Sequence, residues 1–156
     1  MLANRSMPPS TVIPVLAYPG VGQAIDWLCD VFGFAERLRI GNHRAQINVG
    51  DGAVVVAQQR LTQGSNSCLP RREAVSASVM VRIHDVDRHC QHATDRGARI
   101  LQPPADYPYG ERQYTVEDLA GHVWTFSQTI ADVALRSGVV HSSPRDRSSG
   151  PIASGV

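Results

Sequence analysis

The sequence predicts an α+β fold built from two βαβββ units that form curved mixed sheets. Three observations lead there. A strand, a helix and three strands follow one another twice along the chain. The two series are offset by 64 to 65 residues, with Val15 answered by Val79 and Val21 by Val86. A hairpin with a marked turn, Asp118-Leu-Ala-Gly121, closes the second series.

In the first unit, residues 11–17 are a short apolar run suited to a strand, and Pro14 within it favours an edge position. From Val21 the period changes: Val21, Ala24, Ile25, Leu28 and Phe32 share one helical face, and Gly33 suits the C-cap. Residues 34–40, 45–49 and 53–59 are three further strands, separated by the Gly41-Asn and Gly50-Asp-Gly52 turns. Residues 61–74 are polar, with Gly, Ser, Asn and Pro, and are assigned to a linker.

The second unit opens with an alternating strand at 76–83. Asp85 is a fitting N-cap for a helix with the apolar stripe Val86, Cys90 and Ala93, ended by Gly97. Residues 99–101 are a short strand and 102–110 a loop rich in Pro and Tyr. In the hairpin, a four-residue turn at 118–121 pairs Val116 with Val123, Tyr114 with Thr125 and Arg112 with Ser127, all on one face. Glu117, His122, Trp124 and Phe126 take the other face. The folded domain thus spans 11–129, in units 11–60 and 75–129. Residues 1–10 form a flexible lead-in. Residues 130–135 allow one or two helical turns, and the tail 130–156 is largely disordered, with few large apolar groups after 137.

Composition narrows the function. The apolar fraction of 42% is ordinary for a globular protein, and the formal net charge of +1 comes without any block of like charge. Nothing in it argues for nucleic acid or for an anionic membrane surface as a partner. The first residues contain no apolar run of the signal-peptide kind, and no stretch approaches the ~20 apolar residues of a membrane span. Cys29, Cys68 and Cys90 are far apart with no Cys-x-x-Cys, which suits free thiols in a reducing cytosol. There is no Gly-x-Ser-x-Gly elbow, no phosphate-binding loop of the Gly-x-x-x-x-Gly-Lys type and no pair of carboxylates on the predicted cup face.

Four stretches carry a family resemblance: Ile13-Pro-Val-Leu16, Ala24-Ile-Asp-Trp-Leu-Cys-Asp-Val-Phe-Gly-Phe34, Tyr109-Gly-Glu-Arg112 and Glu117-Asp-Leu-Ala-Gly-His-Val-Trp-Thr-Phe126. Together with the doubled βαβββ order, they make residues 11–129 resemble the vicinal-oxygen-chelate superfamily, which includes glyoxalase I, bleomycin-resistance proteins and extradiol dioxygenases. The resemblance implies cup-shaped sheets, a homodimer with the cup between subunits, and a small organic ligand.

Metal-dependent members of such a family aim one His, Glu or Gln from each of four strands into the cup. Here the corresponding positions are Ile13, about Val56, Ser78 and Thr125, and Val55 or Ala57 in place of Val56 changes nothing. Aliphatic groups and neutral hydroxyls are poor ligands for a divalent cation. No metal and no cofactor is therefore expected, and no source is evident for the electrophilic catalysis a metal supplies. His84, His89 and His92 cluster near the second helix and are expected on its solvated face. His122 is expected to pack or to cap.

Strand parity then gives the cup lining. The first strand supplies Ile13, Val15 and Ala17; the fourth Val54, Val56 and Gln58; the fifth Ser78, Met80 and Arg82; and the hairpin Arg112, Tyr114, Val116, Val123 and Thr125. Tyr107 and Tyr109 stand on the loop that would close over it. The candidate substrate-binding residues are Gln58, Ser78, Met80, Arg82, Tyr109, Arg112, Tyr114 and Thr125, and no catalytic residue is assigned. The expected activity is metal-free binding of an organic ligand, for sequestration or sensing, in a cytoplasmic homodimer. Two alternatives stay open: a lyase, isomerase or dioxygenase with displaced ligands, and a non-catalytic interaction protein that docks through its tail.

Overall fold

The structure, a computed structural model, describes residues 4–60 and 69–134. Its elements run β1 (Val15–Tyr18), α1 (Val21–Phe32), β2 (Ala35–Ile40), β3 (Arg44–Val49), β4 (Gly52–Gln58), a 3-10 turn (Arg72–Ala74), β5 (Ser78–Arg82), α2 (Val86–Asp95), β6 (Arg99–Tyr107), β7 (Glu111–Glu117) and β8 (Val123–Thr129). This is the doubled βαβββ order read from the sequence. The first sheet has strand order β1-β4-β3-β2 and the second β5-β8-β7-β6, so each opening strand lies parallel to the last strand of its own unit and forms a sheet edge.

The helices form where the sequence punctuates them. At the end of α1, Gly33 adopts φ 72°, a left-handed conformation that glycine enters without steric cost, and its N–H caps the Cys29 carbonyl. At the start of α2, the Asp85 carboxylate accepts the Arg88 N–H at 3.0 Å. Both helices pack on the same side of the sheets, and the two units share one core. Phe32 of α1 meets the Trp124 and Phe126 rings of β8 at centroid distances of 5.6 and 4.9 Å. Each sheet therefore has a helix face, buried in that core, and an open face turned away from it.

Register corrects several expectations. In the hairpin, Glu117 pairs with Val123, Val116 with Trp124, Thr115 with Thr125 and Tyr114 with Phe126. The turn holds five residues rather than four, because Asp118 N–H bonds the His122 carbonyl and the Asp118 carboxylate accepts the N–H groups of Ala120 and His122. One extra residue turns every β7 side chain over. Arg112, Tyr114 and Val116 thus go to the helix side, and Gln113, Thr115 and Glu117 to the open face. On β4, Val54 and Val56 join the core, and Gln58 shares their side, opposite Tyr18; Ala53, Val55 and Ala57 take the open face.

Residues 102–107, expected as loop, continue β6 as an outer strand paired with β7, with register breaks around Pro103 and Pro104. An edge strand tolerates proline because its outward N–H has no ladder partner to lose. Residues 130–134 are exposed and carry no helix, against the helical turns expected there. The rest of the predicted tail and residues 61–68 of the predicted linker lie outside the described residues. Residues 4–8, expected as a flexible lead-in, are tied to the first sheet by the Arg37 and Gln46 side chains.

Candidate functional site on the open face of the second sheet

Ladder pairing arranges the open face of the second sheet in rows. Ser78 lies beside Val123 and Glu117, Met80 beside Thr125 and Thr115, and Arg82 beside Ser127 and Gln113. The face is polar except at Val123 and at its β5 edge, where Met80 is 62% exposed. Next to that edge, a cavity of about 290 Å³ separates β5 from the first unit, lined by Val12, Pro14, residues 49–54 and residues 79–82. An apolar wall beside convergent polar groups is the usual make-up of a small-molecule site.

A hydrogen-bond chain fixes the polar groups. The Tyr109 hydroxyl donates to Gln113 Oε1 at 3.1 Å, Gln113 Nε2 donates to Ser127 Oγ at 3.0 Å, and Ser127 Oγ donates to Glu111 Oε2. Thr129 Oγ1 donates to the other Glu111 oxygen at 2.7 Å, and the exposed Arg82 guanidinium lies 3.8 Å from it. The Ser127 bond, then the Thr129 bond, holds the Glu111 carboxyl below the usual carboxylate range. Glu111 therefore accepts hydrogen bonds as a carboxylate and holds no proton to donate at neutral pH. At the other end of the face, Glu117 pairs with Arg72 and Arg99 at 3.2 and 3.5 Å.

Of the candidate residues, Ser78, Met80, Arg82 and Thr125 lie together on this face, and Tyr109 reaches it through Gln113. The other three lie elsewhere. Gln58 donates to the Pro19 carbonyl. Arg112 forms a fork with Asp87, at 3.0 and 2.8 Å, and also bonds Asp106 at 2.7 Å. Tyr114 is 1% exposed and packs on Phe126 and His89. Glu111, Gln113 and Thr115 went unread in the sequence. Their signal was the alternation within Glu111-Arg-Gln-Tyr-Thr-Val-Glu117, which sets a polar series against Tyr114 and Val116.

The histidines of α2 have a different task from the one expected. His89 Nε2 lies 3.0 Å from the Phe32 carbonyl, and its Nδ1 lies 2.6 Å from the Tyr114 hydroxyl. The carbonyl can only accept, so Nε2 carries the proton and Nδ1 accepts from Tyr114. His92 Nε2 donates to the Asp30 carbonyl at 2.8 Å. Both carbonyls belong to the last turn of α1, whose acceptors have no partner within their own helix. His89 and His92 thus cap α1 from α2; His89 is half-buried there, against expectation, while His92 stays exposed as expected. His122 caps as expected: its Nε2 bonds the Ala17 carbonyl at 2.7 Å, and its ring leans on Tyr18.

The positions that the family resemblance assigns to metal ligands do not fit a cation. Ser78 and Thr125 are hydroxyls on the open face, Val56 faces the helices, and its open-face neighbours Val55 and Ala57 are aliphatic. Among the described residues, no three His, Cys, Asp or Glu side chains cluster as a metal site. No helix among them is long and apolar enough to cross a membrane.

No curated protein matches the chain. Among solved structures, TioX from Micromonospora sp. ML1 is 39% identical with a TM-score of 0.63, the match covering 77% of this chain and 98% of that one. A glyoxalase/bleomycin resistance protein/dioxygenase from Nocardioides (16% identity, TM-score 0.61, 83% and 87% covered) has the same fold. So has a lactoylglutathione lyase from Agrobacterium tumefaciens (17%, TM-score 0.55, 78% and 96% covered). The family pattern of the glyoxalase/bleomycin resistance protein/dioxygenase superfamily matches residues 13–126. By that match, and by its likeness to TioX, the chain belongs to the glyoxalase/bleomycin resistance protein/dioxygenase superfamily.

Proposed function

We propose that the protein binds an organic small molecule on the open face of its second sheet, without a metal ion, to sequester or sense it. The observation that carries this reading is the chemistry of Ser78 and Thr125: hydroxyls stand where catalysis in this superfamily would call for ion ligands. A hydroxyl on a rigid strand recognises polar ligand atoms well and holds a divalent cation poorly. Arg82 and the Glu111 carboxylate give the site a donor and an acceptor, and Met80 gives it an adaptable apolar contact.

The edge strands β1 and β5 carry the exposed residues Val15 and Met80, and Val12 is exposed just before β1. Unpaired strand edges with apolar side chains favour association, which supports a homodimer with the cup between its subunits. The free thiols Cys29 and Cys90 suit the cytoplasm. The test is a binding screen by thermal shift with a library of natural products. A hit that stabilises the wild type but not Thr125→Trp, a variant that fills the face, supports the reading. Stabilisation only on adding Ni²⁺, Zn²⁺, Mn²⁺ or Fe²⁺ would favour a metal-dependent lyase or dioxygenase instead.

A further inference from the structure

The two sheets differ on their open faces. On the second, the β5 edge residues Ser78, Met80 and Arg82 are exposed. On the first, Val15 and Asn48 are exposed, but Gln46, Ala53 and Val55 in the middle of the sheet are buried, although they point away from the helix core. The chain's own N-terminal segment lies there: Pro8 is buried, and residues 5–7 make a turn closed by Met7 N–H on the Asn4 carbonyl and by the Asn4 side chain on Ser6.

That turn presents three successive carbonyls to the sheet. Arg37 Nη2 donates to Arg5 O at 3.0 Å and to Met7 O at 3.1 Å, and Gln46 Nε2 donates to Ser6 O at 2.8 Å. Arg37 Nη1 bonds Gln46 Oε1, which fixes the amide so that its NH₂ group faces the segment. Arg37 is the extra residue of a β-bulge between Glu36 and Leu38. A bulge re-aims a side chain out of strand alternation, and here it sets a guanidinium over Gln46, which is only 1% exposed.

We propose that Arg37 and Gln46 form a binding site for clustered carbonyl oxygens, and that residues 4–8 occupy it until a carbonyl-rich ligand displaces them. This site lies on the first sheet, apart from the one proposed on the second, and its ligand is of a different class: a compact chain that presents two or three neighbouring carbonyl oxygens, as a peptide turn does. The donors suit that class. Guanidinium and amide N–H groups cannot accept hydrogen bonds here, so a ligand that offers donors gains nothing from them. Every contact from the sheet in this set goes to backbone carbonyls and none to a side chain of the segment, so the pair reads carbonyl placement and not sequence.

The probe is a capped, fluorescently labelled peptide of residues 4–10, titrated by anisotropy into the full chain. In Pro8→Asp, a charge at a buried position releases the resident segment. The peptide is expected to bind this variant about tenfold or more tighter than wild type, and Arg37→Ala added to Pro8→Asp removes the gain. Equal affinity for wild type and Pro8→Asp, or binding indifferent to Arg37→Ala, overturns the proposal. Should Pro8→Asp fail to fold, hydrogen exchange on the wild type decides. Excess peptide then speeds exchange of the residue 5–7 amides, and unchanged rates overturn the proposal. Displacement by the peptide in a protein that holds no organic ligand would support the inference and count against the proposed function.

Discussion

The Tyr18 hydroxyl donates to the Asp118 carboxylate at 2.6 Å, a buried bond between residues one hundred positions apart. Tyr18 ends the first strand of the first unit, and Asp118 opens the last turn of the second. The same carboxylate oxygen accepts Trp124 Nε1–H at 3.0 Å, and the other accepts the N–H groups of Ala120 and His122. Burial, and then the negative charge of Asp118, raise the titration of Tyr18 far above its ordinary value, so the hydroxyl stays a donor at every physiological pH. The turn residue that marks the family in the sequence therefore joins the two units.

Removing Asp118 should be costly. Asp118→Ala leaves Trp124 Nε1–H, the Tyr18 hydroxyl and two backbone N–H groups without their acceptor, and should lower stability in urea by about 3–5 kcal/mol. Tyr18→Phe deletes one of the four donors and should cost about 1–3 kcal/mol. If the two variants unfold at the wild-type midpoint, the carboxylate does not hold the units together.

Tyr114 and Arg112 should act on the fold and not on ligand affinity, because the five-residue turn places both on the helix side. Tyr114→Ala empties a site in the aromatic core and should cost about 3–5 kcal/mol, against about 1 kcal/mol for Tyr114→Phe, which loses only the bond to His89. Arg112→Ala should leave the ligand dissociation constant within a factor of about two, since the side chain serves Asp87 and Asp106. A large fall in affinity with an unchanged melting temperature would put these residues in the site.

Stability should fall on mild acidification through His89. Burial, the largest influence, lowers its pKa below the ordinary value of 6.5, although the bond to the Phe32 carbonyl opposes this and nearby His92 adds to it. The folded state thus resists a proton that the unfolded chain takes up more readily. The neutral ring's contribution is complete above the unfolded pKa and is lost as pH drops from there towards the folded pKa. In urea melts between about pH 7.5 and about pH 5, which bracket that window, the wild type should weaken at the acid end, and His89→Gln should show a flatter profile. Parallel profiles would place the acid sensitivity elsewhere.

Gly110→Ala should destabilise the site from beneath. Gly110 has φ 83°, and an added Cβ would collide with the Ala131 carbonyl, while the Gly110 carbonyl accepts the N–H groups of Ile130 and Ala131. Left-handed backbone and a backbone clash together should cost more than about 1 kcal/mol. They should also loosen Glu111, the next residue, so that ligand binding weakens along with the melting temperature. Wild-type stability in this variant would show that residues 130–131 do not pack as described.

The sequence displays the fold through features that repeat: helical stripes at Val21–Phe32 and Val86–Asp95, glycine stops, and turn chemistry. Parity was harder to read for two physical reasons. On β4, three consecutive valines, Val54 to Val56, are buried whichever way they point, so no alternation marks the open face. In the hairpin, turn length depends on the Asp118 carboxylate reaching the His122 N–H, and a difference of one residue reverses all of β7. Parity on β5 was legible because Val79, Val81 and Ile83 alternate with Ser78, Met80 and Arg82, and all three of these lie on the open face. The caps from His89 and His92 to α1 could not be read at all, since they join helices about sixty residues apart.

The most direct test is native mass spectrometry of the full chain, purified from its native host without chelators or added metal. The account predicts an organic adduct on the folded protein, absent from Thr125→Trp and released on denaturation, with no mass added by a transition metal. A stoichiometric metal ion on the folded wild-type protein, with no organic adduct, would contradict it.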